Sequence, residues 1–251
     1  MNIQEFKDLS LFKYELLENL EKLPYQGYCN INYQLSSNKS KYLVRVFKDE
    51  SSVNISRDFE YFIQKKASRI NIASKPLFMD KHRKYMIAQY LNGIHKEKLN
   101  KRELTKLIET IKKLHNIKVK NKPYKIEKDL NNYNKTLQDK VSKKLIINTK
   151  KELYKIKKYD KYFVTTHHDL NPKNIIFYNS KIKFIDWEYA GVNSAFFDLA
   201  TICVEFKIKK EQYRFILKKY FKKVKKEHRL LLSSYIKIYS NICELWFKTL
   251  K

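Results

Sequence analysis

His167-His168-Asp169-Leu170-Asn171-Pro172-Lys173-Asn174, followed at a short distance by Phe184-Ile185-Asp186-Trp187-Glu188, decides how the chain is read. The first segment has the form H-x-D-x-x-x-x-N. It lies between two apolar runs of β type, Tyr162-Phe163-Val164 and Ile175-Ile176-Phe177. The second ends a further run, Ile182 to Ile185, with an acid. Between them Asn179-Ser180 supplies a hairpin turn signal. A turn there sets Asn174 opposite Asp186, with Cβ atoms about 5 Å apart. The Asp169 carboxylate then sits on the loop just before them. Such a set suits phosphoryl transfer. Mg²⁺ takes hard oxygen ligands and keeps waters, so one Asp, one Asn and nucleotide phosphates suffice to hold it. A separate Asp can accept the proton of an attacking hydroxyl.

The bulk composition bounds the rest. At 251 residues the chain can bury a sizeable core, as one large or two small lobes. A hydrophobic content of 43%, with 14% aromatic, is that of a globular protein. No apolar run approaches the roughly 20 residues of a membrane helix, so no membrane span is expected. The N-terminus lacks the charged-then-apolar order of a signal peptide. Cys29, Cys203 and Cys243 are odd in number and far apart, which fits neither a zinc signature nor a disulfide framework. A reducing, cytoplasmic setting is the expectation. The net charge of +28 is spread over nearly every segment. It reads as lysine coating solvated faces, with no nucleic acid expected as partner. A non-catalytic, nucleic-acid-binding basic protein is the reading it leaves as an alternative.

In chain order, Ile3, Phe6, Leu9, Phe12, Leu16, Leu17 and Leu20 recur at helical spacing and predict an amphipathic helix near 3–23, ended by Pro24. Gly27-Tyr28-Cys29-Asn30 breaks into a strand at Ile31–Leu35, and a second strand follows at Tyr42–Phe47. Arg45 stands in the middle of that second strand. Neither a P-loop nor a G-x-G-x-x-G occurs, and the chain has three glycines. Side-chain cations must therefore do more of the work on any bound phosphates. Ser56-Arg57-Asp58-Phe59-Glu60 opens a helix with Phe59, Phe62, Ile63 and Ala67 as its expected buried stripe, and Glu60 is placed to pair with Arg45. Pro76–Phe78 and Tyr85–Ala88 complete an antiparallel sheet. Gln89-Tyr90-Leu91-Asn92-Gly93 reads as a hinge whose backbone, at Gln89 and Leu91, could bond an adenine.

Leu104, Leu107, Ile108, Ile111 and Leu114 then mark a strong helix, with His115 at its end as a packing or capping residue. Residues 124–160 are lysine-rich and carry no evident chemistry. Further helices run from Phe196 towards Phe206 and over Leu231–Leu250. Strands first and helices later make an α+β chain. The expected division is 1–93 and 94–251. A 2-His-1-carboxylate iron site opened by His167 and Asp169 would need a distant histidine on a strand, and His228 sits in a helical stretch.

The H-x-D-x-x-x-x-N loop followed by a second Asp resembles the catalytic loop of protein kinases. Together with Ile185-Asp186-Trp187-Glu188-Tyr189-Ala190, Asn193 and Phe197-Asp198-Leu199-Ala200, it resembles the choline/ethanolamine kinase family. LicA-type bacterial members, within the aminoglycoside-phosphotransferase-like and protein-kinase-like superfamily, are the nearest in pattern. The resemblance implies a protein-kinase-like two-lobed fold, with an antiparallel sheet and helix in the N-lobe and a mostly helical C-lobe. It implies ATP and Mg²⁺, with Asp169 as catalytic base, Asn174 and Asp186 on the metal, and Arg45 on the ATP phosphates. Asn171, Glu188, Glu205 and Trp246 fall on positions that line the alcohol pocket.

A quaternary ammonium such as choline's is held by aromatic faces and a nearby negative charge. Trp246 with Tyr239, and Phe206 beside Glu205, could form that box. Cys243 stands where the family carries a second aromatic, which leaves ethanolamine or another amino alcohol open beside choline. A kinase of the same fold acting on another alcohol, such as thiamine or an aminoglycoside, is the alternative. An aminoglycoside, carrying several positive charges, would meet only Asp198, Glu205, Glu211, Glu227 and Glu244 after Tyr189, among many lysines.

Overall fold

The computed structural model describes residues 1–24, 26, 30–48, 55–178 and 181–250. The sequence-predicted break at Gly27-Tyr28-Cys29 and the turn at Asn179-Ser180 lie outside them. The chain divides into two compact units: Met1–Ile94 with Lys183–Glu188, and His95–Ile182 with Tyr189–Lys251.

The first unit is built on five antiparallel strands. These are β1 (Leu17–Lys22), β2 (Asn30–Ser37), β3 (Lys41–Phe47), β4 (Pro76–Met79) and β5 (Tyr85–Gln89), in the spatial order β1-β2-β3-β5-β4. Two short helical pieces precede them, α1 (Gln4–Lys7) and a 3₁₀ turn at Ser10–Phe12. Alternation along β3 sorts its side chains. Tyr42 and Val44 join Phe6, Phe12, Leu17, Leu35 and Ile87 in an apolar cluster. Arg45 points to the other face, where α2 (Arg57–Arg69) supplies acids. Ser56 caps α2, its hydroxyl accepting from the Phe59 N–H.

Two expectations fail here for physical reasons. The helix over 3–23 is absent beyond α1, and its second half is the strand β1. A register shift between Leu17 and Asn19 is the cause. A bulge inserts one residue, so Leu17 and Leu20, three apart, both pack on the sheet's apolar cluster. That spacing imitates a helix. The buried stripe of α2 is Glu60, Ile63, Gln64 and Ala67, whereas Phe62 is exposed. The helix presents a polar face inward because Gln64 Nε2 donates to the Ser74 hydroxyl at 2.9 Å and Glu60 meets Arg45.

The second unit is mostly helical. It contains α3 (Lys101–His115), α4 (Ile126–Thr136), α5 (Lys140–Ile156), α6 (Ala195–Glu205), α7 (Tyr213–Tyr220) and α8 (Lys226–Thr249). A reciprocal capping box between Asn100 and Glu103 starts α3. Its expected stripe, Leu104 to Leu114, is buried. The strands β6 (Phe163–Thr166) and β9 (Gly191–Ser194) pair antiparallel, while β7 (Ile175–Tyr178) and β8 (Lys181–Phe184) form a two-stranded ribbon. α6 is the hub, buried from Ala195 to Cys203, with Phe196 stacked on Phe221 at 5.4 Å. Among the described residues no helix is long and apolar enough to cross a membrane.

Candidate active site

The catalytic-loop motif hangs from one buried carboxylate. Asp198, in the first turn of α6, accepts from the backbone N–H groups of His167 and His168, each at 2.9 Å. It also accepts from His115 Nε2 at 3.0 Å. Burial alone would push this carboxyl up; the His115 bond and the surrounding donors hold it below the usual carboxylate range. His115 thus packs and orients, as expected from the sequence, and its Nδ1 faces the Tyr220 hydroxyl at 2.6 Å.

His168 has φ 70°, an unusual conformation for a residue with a Cβ, and this turns its N–H towards Asp198. Its ring settles its own tautomer. Nδ1 must donate to the Tyr189 carbonyl at 2.7 Å, so Nε2 accepts from the Asn193 amide at 3.0 Å. Burial lowers the pKa of His168 and keeps it neutral.

Asp198→Asn replaces an acceptor of three donors by a group whose nitrogen faces an N–H. Breaking a buried pair in this way costs about 3–5 kcal/mol. A lowered melting temperature together with reduced turnover is expected. Unchanged melting and activity would remove Asp198 from this role.

The loop then presents Asp169. Asn171 Nδ2 donates to Asp169 Oδ1 at 2.9 Å, and Asn174 Nδ2 donates to Asp169 Oδ2 at 2.7 Å. Asn171 Oδ1 meanwhile accepts from the Lys173 N–H at 2.9 Å, capping a 3₁₀ turn over Pro172–Asn174. Both ends of the Asn171 side chain are therefore engaged within the loop, one of them on the Asp169 carboxylate. Asn174 Nδ2 also donates to the Asp169 carbonyl at 3.0 Å. With its amide nitrogen given to acceptors, Asn174 offers Oδ1, a hard oxygen, to a cation.

Around Asp169 in the same unit lie residues of the expected acceptor pocket. Tyr239 donates its hydroxyl to Glu205 Oε1 at 2.8 Å. Tyr239, Cys243 and Trp246 follow at i, i+4 and i+7 on one side of α8. Burial pushes the Cys243 thiol up to about 11, with Glu205 and Asp169 adding to the rise. Trp246 is half-buried, whereas Phe206 is buried at the end of α6. α4 reaches the same neighbourhood. The Tyr133 hydroxyl is pushed up to about 12 by burial, by Asp129 and by Cys243. The Asp129 carboxyl is itself raised to about 6 by burial. The sequence found no chemistry in 124–160, because Asp129 and Tyr133 stand in a lysine-rich helix with no motif around them.

The first unit carries a dense charge cluster. Arg45 Nη1 meets Glu60 Oε1 at 2.9 Å, the pairing expected from the sequence. Arg45 Nη2 contacts Asp186 and, at 3.3 Å, Glu188 Oε2. Arg57 Nη1 reaches Glu60 Oε2 at 2.8 Å and Glu188 Oε2 at 3.1 Å. Asn30 Nδ2 donates to Glu188 Oε2 at 2.8 Å. Glu188 is thus a buried member of this cluster, its carboxyl raised by burial and by Asp186. Burial acts against the Arg45 charge, but Asp186, Glu60 and Glu188 outweigh it and hold its pKa up. Asp186 has φ 64°, which Asp tolerates better than most residues. At the expected hinge, the Gln89 N–H donates to the Lys75 carbonyl and the Tyr90 N–H to the Lys41 carbonyl. Among the described residues the Leu91 N–H has no such backbone partner.

Among the described residues no three His, Cys, Asp or Glu side chains gather to hold a metal ion. His228 stacks on Phe221 at 3.9 Å and bonds to Tyr162, so it is a packing residue. A divalent ion would need Asn and phosphate oxygens, which suits Mg²⁺ better than zinc or iron.

Comparison with known proteins agrees with this picture. A 63-residue stretch is 41% identical to protein LicA of Haemophilus influenzae, covering 25% of this chain and 24% of that protein. That match therefore spans about a quarter of the curated relative's length. The crystal structure of choline kinase LicA from Streptococcus pneumoniae superposes with a TM-score of 0.80 at 17% identity, covering 97% of this chain and 87% of that one. A structure of LicA in complex with AMP gives 0.78 at 18% identity, with the same coverage of 97% and 87%. At these identities the superpositions establish the protein-kinase-like α+β fold. The family model described as choline/ethanolamine kinase matches residues 22–246, and the chain belongs to that family.

Proposed function

We propose that the protein is an ATP-dependent kinase that phosphorylates the hydroxyl of choline or a related amino alcohol. One observation carries this reading. The Asp169 carboxylate is held at both oxygens by Asn171 and Asn174, in the same unit as the Glu205–Tyr239–Cys243–Trp246 neighbourhood. A fixed acid beside an aromatic and anionic pocket is what a cationic alcohol needs to present its hydroxyl.

In this reading residues 1–93 bind nucleotide and 94–251 bind the acceptor. Asp169 orients the acceptor hydroxyl and takes its proton as the oxygen attacks the γ-phosphorus and the bond to ADP breaks. Arg45 contacts the phosphates, held in place by Glu60. The Leu91 N–H and the Gln89 backbone serve the adenine; nucleotide use is supported by the AMP complex of LicA. Asn174 Oδ1 and the Asp186 carboxylate are hard oxygens fit for Mg²⁺, which supplies charge neutralisation on the transferring phosphoryl group. We assign the enzyme to the cytoplasm, with choline as the leading acceptor and no nucleic acid as partner.

A screen of choline, ethanolamine, thiamine and kanamycin with Mg-ATP, read by mass spectrometry, tests the acceptor. Phosphocholine or phosphoethanolamine is the expected product. Phosphorylated kanamycin alone would overturn the assignment.

A further inference from the structure

The charge cluster of the first unit is larger than phosphate binding requires. Kinase-type chemistry asks for Arg45 and Glu60, yet three carboxylates and two guanidiniums meet there. That leaves one negative charge in excess among the described residues. Side-chain exposure rises in order: Glu60 0%, Arg45 and Glu188 5%, Arg57 14% and Asp186 26%. Buried charge is tolerated only where it is paired. The excess therefore belongs at Asp186, the most exposed member.

Arg57 is what makes this distribution possible. A single nitrogen, Nη1, serves Glu60 Oε2 and Glu188 Oε2, while the guanidinium lies over the Phe47 ring, 4.1 Å from its centroid. The aromatic face limits how the fork can swing and adds a cation–π contact. Both deeply buried acids are then compensated without full use of Arg45. Arg45 keeps Nη1 on Glu60, whereas Nη2 is divided between Asp186 and a long 3.3 Å contact to Glu188.

We propose that Arg57 is a positioning residue for phosphoryl transfer. By neutralising Glu60 and Glu188 it leaves Arg45 Nη2 free to turn from Asp186 to a nucleotide phosphate, and leaves Asp186 free for a divalent cation. This rests on the assignment of Arg45 to phosphate and Asp186 to metal given above. Without Arg57, Glu188 has Arg45 as its remaining cation among the described residues, and the guanidinium is drawn inward, away from the nucleotide. Glu188 acts through the two arginines, and its position inside the cluster explains why a residue expected at the alcohol pocket is almost fully buried.

The test is steady-state kinetics with ATP and acceptor varied separately, alongside binding of a fluorescent ATP analogue. Arg57→Gln should raise KM for ATP about tenfold or more, as loss of one member of a buried charge set would. KM for the acceptor should stay within about twofold. Arg57→Lys restores the charge but not the fork, and should recover part of the ATP affinity. Phe47→Leu keeps every charge and should give a smaller rise of the same kind, which also serves if Arg57→Gln does not fold. A variant that melts earlier but shows unchanged KM for ATP would overturn the proposal, as would equal changes in both KM values. Arg45→Gln is run in parallel. If Arg45→Gln binds ATP normally, the phosphate assignment itself fails. If Arg45→Gln loses ATP while Arg57→Gln does not, only the role of Arg57 fails.

Discussion

Asp169→Asn is expected to lower kcat by about 10²–10⁴, the range of a positioned general base, while nucleotide binding stays nearly intact. The reason is local. An amide cannot accept the acceptor's proton. Its NH₂ would also face the amide nitrogen of either Asn171 or Asn174, both of which now donate to Asp169. The loop itself should survive, because its backbone is held from below by Asp198 through His167 and His168. Arg45, Glu60 and Asp186, assigned to the nucleotide and its metal, belong to the first unit and are untouched, and Asn174 keeps its bond to the backbone carbonyl of residue 169. Turnover measured beside fluorescent-nucleotide titration separates the two effects. Wild-type kcat in Asp169→Asn would mean that another group is the base.

Asp186→Ala should act on the opposite side of the reaction. Removing a hard oxygen ligand should weaken Mg-ATP binding by about 10–100-fold, as expected from losing one of few protein ligands. Stability should move little or rise, because the buried cluster then holds two carboxylates and two guanidiniums with no excess charge. Calorimetric titration of ATP with and without Mg²⁺, together with a thermal melt, reads both. A variant that binds Mg-ATP normally would remove Asp186 from the metal. One that is strongly destabilised would show that its bond to Arg45 is structural, and would weaken the case for Arg57 as well.

Much of this site could be read from the chain because its chemistry is local. Asp169, Asn171 and Asn174 sit within six residues, so their sharing one loop was legible, whereas the two amide bonds to the carboxylate came only with the structure. The pairing of Arg45 with Glu60 followed from a strand and the helix after it, each with its own signal. The middle of the chain was opaque for the converse reason. Asp129 and Tyr133 matter only because α4 lies against α8, and nothing in their sequence neighbours announces that.

The N-terminal helix expected over 3–23 shows the limit most clearly. Apolar spacing correctly picked Phe6, Phe12 and Leu17 as core, but spacing cannot distinguish a helical turn from a bulged edge strand, and pairing with β2 decided it. The same division runs through the active site. Residue types at fixed spacing determined which atoms could do phosphoryl transfer. Which charges compensate one another, as Arg57 does for Glu60 and Glu188, was decided only in three dimensions. Burial sets the worth of each ion pair, and burial depends on partners more than a hundred residues away.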